Sequence, residues 1–179
     1  GRSLAEVDLD DVYQALPMLA PGFKRALHMP EVANVRNPRL VRALRQALLQ
    51  MPSVSLHEHC PVIAFVLEGE RVCGVRTVKG ELRADQVVVA AGAWSAQLLS
   101  CLGIELAVEP VKGQMILYKC AEDFLPSMVL ANSRYAIPRK DGHVLVGSTL
   151  EYAGFDKTPT QDALSSLKAS AEALLPALA

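Results

Sequence analysis

Tyr135 offers the most usable side-chain chemistry in this chain. It opens the stretch Tyr135-Ala-Ile-Pro-Arg-Lys-Asp-Gly-His-Val-Leu-Val-Gly-Ser-Thr149. A phenol on a strand that faces a cavity can donate a hydrogen bond to a small anion. Most strand aromatics are packing residues, so pattern alone favours a core tyrosine with a satisfied hydroxyl. Other reactive types are less well arranged. His57 and His59 lie two apart and would share a strand face, but no matching Cys, His or carboxylate cluster accompanies them. Cys60, Cys73, Cys101 and Cys120 are scattered without CxxC spacing, which argues against a zinc site and a disulfide framework. No Ser/His/Asp or Cys/His arrangement has usable spacing, and neither a GxxxxGK[ST] loop nor a GxGxxG fingerprint occurs.

The elements that must position Tyr135 can be read from periodicity. Tyr135 and Ile137 share one face of a short strand, and Ala136 and Pro138 the other. Asp141-Gly142 signals a tight turn. Val144, Val146 and Ser148 then share a face of the returning strand. Further strands are expected over 111–119, with Gly113 as a bulge or close-approach point, and over 128–132. Thr158-Pro159-Thr160-Gln161 has capping-box spacing at the start of a last helix, with Leu164, Leu167, Ala171, Leu174, Leu175 and Leu178 as its apolar stripe.

Upstream, residues 8–16 read as a short helix with acidic residues in its first turn, and 23–29 as a strand. Asn37-Pro38 reads as the N-cap and first position of a longer helix striped by Leu40, Val41, Leu44, Ala47 and Leu48. Arg39, Arg42 and Arg45 lie off that stripe, as a solvated face would. Residues 53–58 are expected to be a strand, 62–68 and 71–77 a hairpin, and 81–84 a third strand. Val87-Val-Val89 suits a strand buried on both faces, followed by small residues at its C-terminal end, where open α/β sheets bind ligands.

The chain has 179 residues and a formal net charge of −1, so nothing suggests a nucleic-acid partner. No apolar run is long enough for a membrane span, and no signal-peptide pattern is present. A reducing, cytoplasmic setting is the default. The chain starts with Gly1-Arg-Ser and ends in an apolar run, as a piece of a longer protein would. The expected divisions are residues 1–36 and 104–179 in an antiparallel part and 37–103 in an α/β-like part.

A β-meander over 62–84, then three valines, then Ala-Ala-Gly-Ala-Trp-Ser95, resembles the second half of a flavin-binding Rossmann-type domain. With His57-Glu-His-Cys-Pro-Val62, Glu109-Pro-Val-Lys-Gly-Gln114, the Tyr135–Thr149 stretch and Gly154-Phe-Asp-Lys157 in this order, the chain resembles the flavin-dependent D-amino acid oxidase superfamily. The likeness is greatest to its glycine oxidase branch of thiamine biosynthesis, and it spans residues 5–179.

The implied fold class is α/β and α+β. It comprises a partial FAD-binding Rossmann-type domain (the β-meander plus a buried parallel strand) and an antiparallel-sheet substrate domain. The resemblance implies FAD as cofactor and hydride transfer from a small amino acid or amine, giving a 2-oxo acid, ammonia or amine, and peroxide. It assigns Val62, Ala91 and Gly92 to the cofactor, Tyr135 to the substrate carboxylate and Leu150 to the small substrate pocket, with no acid–base side chain required. A homo-oligomer is compatible with it. The dinucleotide fingerprint is expected upstream of residue 1, and the carboxylate-binding arginine downstream of residue 179. Neither Arg134 nor Arg139 aligns with that arginine. Without the fingerprint and the downstream segment, the isolated chain is expected to bind FAD weakly or not at all and to be inactive. Two other readings remain open: a D-amino acid dehydrogenase of the same superfamily, and a non-catalytic module using the 164–178 stripe as a partner surface.

Overall fold

The computed structural model describes residues 3–179. The chain divides into two compact units, one joining the chain up to Asn34 with Val111–Ala179, the other comprising Val35–Pro110.

In the first unit, β1 (Ala5–Val7) pairs antiparallel with β2 (Ala26–His28), and α1 (Leu9–Ala15) lies between them in sequence. Asp8 caps α1, its carboxylate accepting from the Asp10 N–H at 2.8 Å. The main sheet of this unit has the order β6-β9-β8-β7, formed by Met115–Lys119, His143–Gly147, Arg134–Pro138 and Val129–Ala131, all antiparallel. The turn joining β8 to β9 puts Gly142 at φ +75°, where its N–H donates to the Arg139 carbonyl at 3.0 Å. This is the conformation that glycine supplies without steric cost.

One face of this sheet carries the core. Ala136, Val144 and Val146 point the same way and are buried together with Ala171, Leu174, Leu175 and Leu178. Those four come from the last helix, α4 (Gln161–Leu174), and the turn after it. Thr160 caps this helix, its hydroxyl accepting from the Ala163 N–H at 3.3 Å. The cap therefore lies two residues beyond the expected Thr158, and Pro159 precedes it. Leu164, expected in the buried stripe, is 44% exposed, and Ala163 takes its place on the packed face. The rest of the 164–178 stripe packs within this unit, which removes it as a partner surface. The Ala20 N–H donates to the Leu174 carbonyl at 3.0 Å and ties the N-terminal segment to α4. Burial raises the pKa of the Tyr118 phenol, whose hydroxyl is buried with no hydrogen-bond partner among the described residues.

The second unit holds the expected meander. Strands β3 (Val62–Glu68), β4 (Arg71–Thr77) and β5 (Gly80–Arg83) pair antiparallel in that order. Helix α2 (Asn37–Leu49) begins one residue earlier than expected: Asn37 is the first helical residue, and Arg36 stands at the cap without a side-chain hydrogen bond. None of its residues is buried. Helix α3 (Ser95–Ser100) follows a single 3₁₀ turn at Gly92–Trp94.

Three expectations fail in this unit. Residues 53–58 form no strand. His57 and His59 consequently share no strand face, and His59 has a positive φ of 53°. Val87–Val89, expected as the buried parallel strand, forms no strand either, and Val88 is 87% exposed. A valine run becomes a buried strand only if neighbouring strands supply a ladder, and none pairs with it among the described residues.

Candidate functional site

Tyr135 lies on the sheet face opposite the core. Its register partner is Gly147 on β9, and Gly147 also faces Met115 on β6. These three residues therefore stand side by side across the sheet. The Tyr135 hydroxyl donates to Met115 Sδ at 3.3 Å, a weak acceptor that a better one can displace. The same face carries Leu117, Leu130 and Leu145, so the phenol sits in apolar surroundings.

Neither nearby arginine is aimed at this face. Arg134 Nη1 donates to the Ser148 carbonyl at 2.6 Å, and its Nε to Ser170 Oγ at 3.4 Å on α4. Arg139 Nη1 donates to Asn34 Oδ1 at 2.6 Å. Both cations are used in holding the unit together.

Leu150 lies just past β9 and is 69% exposed. The backbone on either side of it is nevertheless fixed. The Thr149 N–H donates to the Gln114 carbonyl at 3.1 Å, and Lys112 and Glu151 exchange backbone bonds of 2.8 and 2.9 Å. The Thr149 hydroxyl and the Gln114 amide both donate to the Glu151 carboxylate, with Lys112 Nζ 3.5 Å away. The Thr149 hydroxyl is the main cause, and Gln114 the next, of a Glu151 pKa below the ordinary carboxylate value. The close approach expected at Gly113 is present, since a Cβ there would lie 3.3 Å from the Thr149 carbonyl oxygen.

In the other unit, Val62 and Ala91 are far apart in sequence but line the same cleft of about 760 Å³, with Phe65, Val75, Trp94 and Leu98 among its walls. Gly92 follows directly and opens the 3₁₀ turn. The walls suit the flat apolar rings of a dinucleotide cofactor. They offer no glycine-rich cradle of N–H groups for its phosphates, so the fit covers only part of such a group. Among the described residues, no group of three His, Cys, Asp or Glu side chains could hold a metal ion. No helix among them is long and apolar enough to cross a membrane.

A β-meander leading into a small-residue turn, together with an antiparallel sheet backed by one helix, is the arrangement expected of a flavin-dependent oxidoreductase. The chain belongs to the FAD dependent oxidoreductase family, whose model matches residues 3–179. It is 67% identical to a glycine oxidase of Pseudomonas putida over 177 residues, which is 99% of this chain and 48% of that protein. It is 61% identical to a glycine oxidase of Pseudomonas aeruginosa, covering 99% of this chain and 49% of that one. A solved glycine oxidase from Bacillus cereus superposes with a TM-score of 0.89 at 26% identity, over 99% of this chain and 49% of that structure. The chain thus spans about half the length of these relatives.

The sequence points to Tyr135 but not to Met115 or Gly147 beside it. Only strand register brings those two to the phenol, and register depends on pairing between distant segments.

Proposed function

We propose that this chain is part of a flavin-dependent oxidase that deaminates glycine, sarcosine or a small D-amino acid to a 2-oxo acid, ammonia or amine, and hydrogen peroxide. The observation that carries the reading is the Tyr135 hydroxyl, held on the apolar outer face of the sheet by a weak sulfur acceptor. The identity to two glycine oxidases supports it. In this reading Tyr135 donates to the substrate carboxylate, and Leu150 lines the pocket that limits substrate size. Val62, Ala91 and Gly92 lie against FAD, which supplies the hydride-accepting chemistry when bound. The second unit is then the cofactor side of the enzyme, and the first unit the substrate side. Arg134 and Arg139 are already engaged, so the carboxylate's cationic partner comes from the remainder of the longer protein.

The test is Tyr135→Phe in the full-length protein. Loss of one hydrogen bond to a charged group should raise KM for a carboxylate substrate about tenfold, with kcat changed much less. An unchanged KM would remove Tyr135 from the site.

A further inference from the structure

We infer that Gly147 is a positioning residue for the Tyr135 hydroxyl, with Met115 as the opposing wall; this rests on the reading of Tyr135 as a carboxylate ligand. Gly147 occupies the central strand between Met115 and Tyr135, and it is in register with both. A Cβ at Gly147 would lie 2.8 Å from Tyr135 Oη, 3.0 Å from Tyr135 Cε2 and 2.8 Å from Met115 Cγ. Two of these distances are shorter than real contacts and the third is at their limit, so the phenol and the thioether occupy the space that a side chain would fill.

The φ of Gly147 lies outside the left-handed region, so backbone chirality does not call for glycine here. The demand is for room. The phenol leans across the central strand and reaches Met115 Sδ at 3.3 Å. Met115 is 52% exposed and Gly147 is buried beneath the pair. The hydroxyl is thereby parked on a weak acceptor, at a fixed place over Gly147, until a carboxylate oxygen displaces the sulfur. A methyl group at position 147 would push both flexible side chains outward and carry the hydroxyl away from that place, while leaving the ladder intact.

The experiment is a double-mutant cycle in the full-length protein, reading KM and kcat with glycine and sarcosine as probes. Gly147→Ala is expected to raise KM about tenfold with little change in kcat, as loss of the same hydrogen bond would. In the Tyr135→Phe background, Gly147→Ala should add less than about twofold, because the interaction it disturbs is already gone. Met115→Ala removes the opposing wall from an exposed position, and should raise KM several-fold with Tyr135 present but not in the Tyr135→Phe background. It serves as the decisive variant if Gly147→Ala does not fold. A Gly147→Ala effect of equal size in both backgrounds, or no effect of either variant while Tyr135→Phe raises KM, would overturn the positioning role alone. No effect of Tyr135→Phe would overturn the ligand assignment and this inference together.

Discussion

Glu151 takes hydrogen bonds from Thr149 and Gln114 and has Lys112 beside it, so its folded pKa falls below the ordinary 4.5. A carboxylate with a depressed folded pKa contributes stability that is complete above its unfolded value and is lost as pH falls through the folded one. Glu151→Gln should therefore be less stable than the native chain at neutral pH, and the gap in urea midpoint should close under acid. A gap independent of pH would contradict this account of the network. Among single residues, the place of Tyr135 on a strand is legible in the sequence because its alternation and the Asp141-Gly142 turn are local, whereas pattern alone reads its side chain as packing. Met115, Gly147 and the Glu151 network are not, because each depends on residues brought together from separate strands.

Elements are legible where their signals are local. The meander over β3, β4 and β5 and the hairpin of β8 and β9 follow from alternation and turn residues. The starts of α2 and α4 are shifted from expectation because Asn37 and Thr158 have capping chemistry, yet Arg36 and Thr160 stand at the caps. Val87–Val89 misleads because apolar composition states what a strand would bury, not whether a neighbouring strand is available. The sheet–helix packing of the first unit makes its own demand. Leu175 is fully buried against that core, so Leu175→Ala should cost about 2–5 kcal/mol in urea denaturation. A loss below about 1 kcal/mol would mean that the site collapses freely, or that the helix is not held as described.

For the whole molecule, the sheet face around Tyr135 and the exposed stripe of α2 are both surfaces with little covering them among the described residues. The chain spans about half of its glycine oxidase relatives, and it has no GxGxxG loop to hold a pyrophosphate. The isolated chain should accordingly purify without flavin absorbance, and a stoichiometric flavin signal would contradict the dependence of FAD binding on that loop. The most direct test of the central claim is peroxide formation by the purified full-length protein supplied with oxygen and either glycine, sarcosine or a bulky D-amino acid. Peroxide from glycine or sarcosine is the predicted result. Oxidation of bulky D-amino acids alone, or amine oxidation that yields no peroxide, would contradict it.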